Sequence, residues 1–165
     1  MAFSKNKYSL PCKEKDIISI VSDPRAHSGV LKYAVDFIVP EGTTVYAAYK
    51  GEVVEVKVDS KEGGDNPKFN NLKYLNYILI KHPNNEFSEY SHLQYKGALV
   101  KVGEKVKEGQ PIGISGNTGF TTQPHLHFHV IRKTKHGWRT VKIRFKKRIY
   151  TVSYTHLTLP TTPYV

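Results

Sequence analysis

The sequence predicts an all-β domain made of two packed, mainly antiparallel sheets of short strands. Apolar and polar residues alternate at residues 44–58, 77–81 and 125–131, and a period of two residues is typical of strands that bury one face. Clusters of Gly, Pro and Asn separate these runs, and no segment combines a helical apolar stripe with capping residues. Many short strands joined by tight turns favour packed sheets over a helical or mixed fold.

The composition indicates one domain with a substantial core. The chain has 165 residues, of which 39% are hydrophobic and 12% are aromatic, and this is enough to bury a sizeable interior. No run approaches the roughly 18 apolar residues that cross a bilayer, and residues 1–16 lack the apolar centre of a secretion signal. We therefore expect a monomer with no membrane span and no visible export signal.

A single cysteine limits the chemistry of any metal site. Cys12 is the only cysteine of the sequence, so an internal disulfide and a cysteine-rich zinc site are both excluded. A metal ion would therefore have to be bound by His and carboxylate side chains.

The positive charge is concentrated towards the C-terminus. The formal net charge is +11, and residues 132–148 hold nine of the 25 Lys and Arg residues and none of the 14 acidic residues. Such a segment suits a polyanionic partner, either an acidic polymer or a nucleic acid. An ordinary solvated basic face explains the same charges, and nothing else in the sequence favours a nucleic acid.

We expect three segments along the chain: an N-terminal lead-in at 1–19, a folded domain at 20–148, and a tail at 149–165. The basic residues 132–148 are predicted to form the last strands of the domain. The tail contains no Lys, Arg, Asp or Glu, and this abrupt change in composition predicts that it lies outside the fold. From residue 153 the run SYTHLTLPTTP also resembles translated adapter sequence, which would make it an artefact of assembly.

Three histidines recur at a spacing of two in the run QPHLHFHV, residues 123–130. Alternate residues of a strand share a face and lie roughly 6.5 to 7 Å apart, so the rings of His125 and His127 can reach one metal centre. His129 lies about twice as far from His125, so we expect two of the three to meet there. One of the pair would bind the metal and the other would contact the attacking water; the alternative is a set of histidines half-buried on a sheet face.

Further ligands must come from elsewhere in the chain, because a hydrolytic zinc ion usually has three protein ligands and one open position. His27 lies in the turn-like segment DPRAHSG, and Asp36 lies inside the apolar run YAVDFIV. A carboxylate buried without a partner is costly, and either a metal ion or a salt bridge would remove that cost. His92 ends the strand-like run SEYSHL and is equally compatible with a surface position.

Four runs of the sequence resemble the lysostaphin-type zinc metalloendopeptidases, a family of peptidoglycan-hydrolysing enzymes with a duplicated hybrid motif. The runs lie in the family's order between about residues 20 and 131: HSGVLKYAVDF, PEGTTVYAAYKGEVVEV, EYSHL and VKVGEKVKEGQPIGISGNTGFTTQPHLHFHV. The resemblance implies a barrel-sandwich hybrid-like fold. It also implies a zinc endopeptidase with one Zn²⁺ ion that hydrolyses peptide crosslinks of bacterial cell walls outside the cytoplasm.

The resemblance also implies a role for each candidate residue. His27, Asp36 and His127 match the zinc ligands of the family. His92 and His125 match its two catalytic histidines, which would orient or deprotonate the water and stabilise the oxyanion. This sequence has no His-Glu-x-x-His motif, so no glutamate of that type is available for the same task.

The spacing of the first two ligands departs from the commonest form of the family. His27 and Asp36 are nine positions apart, whereas the family's usual motif separates His and Asp by four positions. The extra residues must therefore form a loop that folds the imidazole back over the strand. His82 is the nearest substitute for His27, but it matches an accessory position of the family.

Two other functions fit part of the sequence. The run VKVGEKVKEGQPIG, residues 100–113, also looks like part of a lipoyl- or biotinyl-type domain, but no modifiable Lys in an exposed hairpin stands beside Met, Asp or Ala. A catalytically inactive wall-binding or amidase-activating module of the same fold should lack ligands, whereas all five matched positions carry competent side chains. The sequence therefore favours the enzyme, with peptidoglycan as substrate and acidic wall polymers as a further partner of residues 132–148.

Overall fold

The computed structural model describes residues 2–22 and 29–152, together with the backbone of 161–164. Within these residues the fold is all β, as predicted, and no helix is long and apolar enough to cross a membrane. Five single turns of 3₁₀ helix occur at Glu14–Asp16, Gly29–Leu31, Pro67–Phe69, Leu72–Tyr74 and Pro83–Asn85. The strands are β1 (Phe3–Tyr8), β2 (Ser19–Val21), β3 (Val35–Ile38), β4 (Thr44–Tyr46), β5 (Gly51–Lys57), β6 (Gly63–Gly64), β7 (Tyr77–Lys81), β8 (Glu86–Ser91), β9 (Leu93–Ala98), β10 (Lys105–Val106), β11 (Pro111–Ser115), β12 (Gly119–Phe120), β13 (Leu126–Thr134), β14 (Gly137–Thr140), β15 (Lys142–Phe145), β16 (Ile149–Val152) and β17 (Thr161–Tyr164).

Two sheets form the body of the part that the structure describes. The larger has the strand order β10-β5-β7-β8-β13-β3-β2-β16-β17, with β14 paired to β13, and the smaller has the order β4-β11-β9. Most neighbours within them are antiparallel, as expected. Two additional pairs, β1 with β15 and β12 with β6, are parallel. The long strand β13 lies at the centre of the larger sheet and pairs with β3, β8 and β14.

The core lies between the larger and the smaller sheet, and strict alternation along β13 builds it. Leu126, Phe128 and Val130 are fully buried and belong to the same hydrophobic cluster as Val45 of β4 and Ile112 of β11. Complete burial of such a side chain contributes about 1.5–3 kcal/mol. Because successive side chains of a strand point to opposite faces, the residues between these three point away from the core.

The prediction that residues 1–19 are a lead-in to a domain that begins at residue 20 is wrong for β1, which pairs with β15 and is tied to the larger sheet by a buried carboxylate. Glu86 Oε2 accepts hydrogen bonds from the Lys5 backbone N–H at 2.7 Å and from Arg132 Nη2 at 2.7 Å. Its other oxygen, Oε1, accepts from the Asn6 N–H and the Tyr8 hydroxyl, each at 3.1 Å. The side chain of Glu86 is fully buried, so these donors replace the water that its charge has lost.

The prediction that the tail from residue 149 lies outside the fold is wrong for 149–152 and for 161–164. Residues 149–152 form β16, which pairs with β2 through Val152 and Val21 and with the backbone of β17. Ile149 and Thr151 are buried while Tyr150 between them is exposed, so an uncharged segment alternates like any other strand. The remainder of that tail, residues 153–160 and 165, lies outside the described residues.

We expect Arg132→Ala to destabilise the protein by about 3–5 kcal/mol, because it leaves the buried Glu86 charge without its cationic partner. The free energy of unfolding from denaturant titration measures this effect. Lys133→Ala is the matched control, since the neighbouring side chain is exposed and its loss should cost less than about 0.5 kcal/mol. Equal losses in the two variants would contradict the structural role of the Glu86–Arg132 pair.

Candidate metal centre

The register between β3 and β13 places a carboxylate directly opposite an imidazole. His127 of β13 is paired with Asp36 of β3 on one side and with Ser91 of β8 on the other. Directly opposed residues of antiparallel strands have Cβ atoms about 4.5–5.5 Å apart, and here Asp36 Oδ1 lies 3.2 Å from His127 Nδ1. The two side chains are only 14% and 8% exposed, so their polar atoms meet in a largely dry position.

His125 approaches the same carboxylate from just before β13. Its Nε2 atom lies 3.7 Å from Asp36 Oδ1, and its Nδ1 atom lies 2.9 Å from the carbonyl oxygen of Gln123. A carbonyl oxygen only accepts, so Nδ1 carries the proton and donates it to Gln123. In the neutral ring the lone pair is therefore on Nε2, the nitrogen that faces the site.

His92 completes the cluster from the turn between β8 and β9. Its backbone is left-handed, with φ of 70°, and its N–H donates to the carbonyl of Asn76 at 2.9 Å. The ring donates from Nδ1 to the carbonyl of Thr118 at 2.6 Å, and its centroid lies 4.5 Å from that of His125. Burial, together with the nearby His125 and His127, lowers the pKa of His92 to about 3, so the ring is neutral at pH 7 with its lone pair on Nε2.

A glycine beside Thr118 gives His92 its space. Gly119 has φ of 77°, a backbone conformation that residues other than Gly rarely adopt. A Cβ atom at this position would lie 3.0 Å from Leu75 Cδ1 and 3.4 Å from His92 Nδ1. Gly119 therefore allows both this backbone conformation and the close approach of the His92 imidazole to the Thr118 carbonyl.

Of the two remaining histidines considered from the sequence, one lies outside the described residues and the other lies away from this cluster. His27 lies outside the described residues, so its place as a ligand stays a prediction from sequence. His82 is buried, and its ring nitrogens lie 2.6 Å from Lys50 O and from Ser88 Oγ. Ser88 is paired with Val130, a buried core residue of β13. Directly opposed residues share a face of the sheet, so His82 lies on the core side, away from the Asp36 carboxylate.

Sequence reasoning missed a second polar pair behind His127. His129 Nδ1 lies 2.8 Å from His127 Nε2, and His129 Nε2 lies 3.8 Å from Glu89 Oε2. The spacing of two in β13 indicated that His129 shares a face with His127, but only the pairing of β13 with β8 identifies Glu89 as its cross-strand neighbour.

The donor set of the cluster fits zinc. Asp36 Oδ1, His127 Nδ1 and His125 Nε2 approach one another on a single face, and one carboxylate combined with imidazoles is a usual donor set of hydrolytic zinc sites. Imidazole and carboxylate ligands disfavour the softer metals that prefer thiolates. The arrangement can therefore bind a divalent cation and keep a neutral histidine beside it.

Comparison with known proteins assigns the chain to a family. Residues 30–139, which are more than half of the chain, match peptidase family M23. The chain belongs to this family. Membership confirms the resemblance to lysostaphin-type peptidases and the fold class predicted from the sequence.

Individual M23 proteins show the same relationship. The chain is 39% identical over 126 residues to the peptidoglycan DD-endopeptidase ShyA of Vibrio cholerae, a match that covers 73% of this chain and 26% of that protein. The chain thus spans about a quarter of this curated relative. A zinc-containing peptidase from Vibrio cholerae superimposes with a TM-score of 0.56 at 29% identity, over 84% of this chain and 38% of the other. The catalytic domain of lysostaphin from Staphylococcus simulans superimposes with a TM-score of 0.52 at 31% identity, over 74% of this chain and 84% of that domain.

Gly119→Ala tests the catalytic role that the sequence predicts for His92. We expect it to lower peptidase activity by roughly tenfold or more, because the added Cβ crowds the His92 ring and small displacements of a catalytic group are costly. Gly109→Ala is the matched control: Gly109 also has a positive φ, 83°, but its Cβ would meet nothing within 4 Å. Both variants should lose about 1–2 kcal/mol of stability from backbone strain, measured by thermal or denaturant unfolding. Equal activity in the two variants would show that the crowding of His92 has no effect on the reaction.

Proposed function

We propose that this chain is a zinc-dependent endopeptidase that hydrolyses the peptide crosslinks of bacterial peptidoglycan. The observation that carries the proposal is the pairing of Asp36 with His127 on adjacent strands, their donor atoms 3.2 Å apart, in a chain of peptidase family M23. The names of similar proteins, a peptidoglycan DD-endopeptidase and lysostaphin, support peptidoglycan as the substrate. Such a substrate implies action outside the cytoplasm.

In this proposal, His27, Asp36 and His127 hold one zinc ion. Two imidazoles and one carboxylate give three protein ligands, which leaves a position open for the reaction. Asp36 and His127 are supported by their mutual distance, and His27 is supported by the sequence resemblance alone. When bound, zinc supplies a Lewis acid that polarises a peptide carbonyl and lowers the pKa of water.

In the same proposal, His92 and His125 act as the general base and general acid of the reaction. Each donates its Nδ1 proton to a backbone carbonyl, Thr118 and Gln123 respectively, which leaves Nε2 as the basic nitrogen of each neutral ring. One of these atoms takes the proton of the attacking water, and the protonated ring stabilises the developing oxyanion and returns a proton to the leaving amine. The carbonyl partners fix both rings, so little reorganisation is needed during the reaction.

We expect His92→Ala and His125→Ala to retain one equivalent of zinc and to lose turnover by roughly 100-fold or more. Asp36→Ala and His127→Ala should instead lose zinc, because each removes a ligand. Zinc content, together with the release of peptides from purified peptidoglycan, measures both effects. Loss of zinc from His125→Ala would contradict the assignment of ligands and catalysts, and a zinc-loaded parent protein that is inert on every wall type would favour the inactive binding module.

We further propose that the hairpin of β13 and β14 binds acidic wall polymers. Several cations of the basic segment already have acidic partners, since Arg132 pairs with Glu86, Lys146 with Glu108 and Lys147 with Glu14. Exposed cations remain along the hairpin together with a half-exposed Trp138, and they present positive charge to a polyanion. The exposed cations of the hairpin are Lys133, Lys135 and Arg139.

Replacing these three cations with Glu should weaken binding to walls that carry acidic polymers and should abolish most of its salt dependence. Sedimentation of the protein with purified walls at several salt concentrations measures this. Walls stripped of their acidic polymers are the control, and both proteins should bind them equally. Unchanged binding of the triple variant to intact walls would show that the hairpin does not bind acidic wall polymers.

A further inference from the structure

The second ring nitrogen of His127 faces another histidine. Its Nδ1 atom points to Asp36, and its Nε2 atom lies 2.8 Å from Nδ1 of His129, a normal hydrogen-bond distance. Both histidines are buried. Because they are alternate residues of β13, they share one face of the sheet, and the contact follows directly from the strand.

A carboxylate stands at the far side of His129. Glu89 is its cross-strand partner in β8, and Glu89 Oε2 lies 3.8 Å from His129 Nε2, close enough for the carboxylate to favour a proton on that nitrogen. Ser91 donates from its hydroxyl to the same oxygen at 2.8 Å, which fixes the orientation of the carboxylate. Asp36, His127, His129 and Glu89 therefore form one continuous row across the face.

Only one assignment of protons to the ring nitrogens of this row lets His127 bind a metal through Nδ1. A ligating nitrogen needs its lone pair free of a proton, so His127 must carry its proton on Nε2 and donate it to His129. His129 must then accept at Nδ1 and carry its own proton on Nε2, the atom that faces Glu89. A carboxylate accepts and does not donate, so Glu89 favours this tautomer of His129 and, through it, the ligating tautomer of His127.

We propose that Glu89 and His129 are positioning residues that hold His127 in the ring orientation and tautomer required for binding zinc. The inference rests on the zinc site of the proposed function and adds to it two residues that do not touch the metal. Outer partners of this kind typically change metal affinity by about 10- to 100-fold.

The same groups also satisfy the distance requirement for a cation site of their own, because single donor atoms of Glu89, His127 and His129 lie within 4.8 Å of one another. A hydrogen bond between His127 and His129 explains this geometry better than a metal ion bound by both rings. Two nitrogens bound at about 2.0–2.1 Å to one tetrahedral zinc ion lie roughly 3.3 Å apart, whereas these two are 2.8 Å apart. A second metal ion is therefore an outcome that the experiment must distinguish.

Zinc affinity of the full chain, measured by competition with a chromogenic chelator, tests the inference through three variants. His129→Leu removes the acceptor and should weaken zinc binding by about 10- to 100-fold. His129→Asn places a carbonyl oxygen near the position of Nδ1 and should restore affinity to within about threefold of the parent. Glu89→Gln should weaken binding in the parent but should have no further effect in the His129→Asn background, where the acceptor no longer depends on Glu89.

Glu55→Gln is the matched control for charge. Glu55 lies two strands from Glu89 in the same cross-strand row, where it accepts a hydrogen bond from the Tyr77 hydroxyl. This variant removes the same charge without touching His129 and should change zinc affinity by less than about twofold. Thermal unfolding of the zinc-free variants separates changes in folding from changes in binding.

Four results would overturn the inference while leaving the zinc enzyme intact. They are unchanged zinc affinity in Glu89→Gln, equal losses in His129→Asn and His129→Leu, equal losses in Glu55→Gln and Glu89→Gln, or two zinc equivalents in the parent that fall to one in His129→Leu. A parent protein that binds no zinc would overturn both the inference and the proposed function.

Discussion

The antiparallel register of β3 with β13 is the constraint on which both the core and the candidate site depend. It pairs Phe37 with Leu126 on the core face and Asp36 with His127 on the opposite face. A slip of one residue would move every side chain of a strand to the other face, exposing the apolar set and burying the polar one. The hydrophobic effect therefore specifies the candidate metal centre indirectly, because the register that buries the core is also the register that brings the Asp36 and His127 donor atoms together.

The histidines of the site are fixed by two different kinds of support. His92 and His125 donate to backbone carbonyls, so their orientation is set by the turns that precede or follow the strands. His127 lies within the strand and has a side-chain support instead, the row formed by His129 and Glu89. A backbone carbonyl is always an acceptor, whereas a neutral histidine has two tautomers. His129 therefore needs the Glu89 carboxylate to select the tautomer that accepts from His127.

The sequence predicts the strands and the face of the histidines well, because both follow from a period of two residues. It also predicts that Asp36 has a polar or metal partner, since a carboxylate inside an apolar run is costly to bury alone. It does not reveal Glu89, because cross-strand pairing depends on register between segments far apart in the chain. It misplaces the boundary at residue 149, because the lack of charge in this run predicts a segment outside the fold, whereas Ile149 and Thr151 are buried residues of β16 on either side of an exposed one.

A crystal structure of the zinc-loaded protein would locate the ion and its ligands directly. We expect one ion, bound at about 2.0–2.2 Å by the Asp36 carboxylate and by Nδ1 of His127, with His27 as the third ligand and with His129 hydrogen-bonded behind the ring. A zinc ion bound instead to Nε2 of His127, between His129 and Glu89, would contradict this assignment.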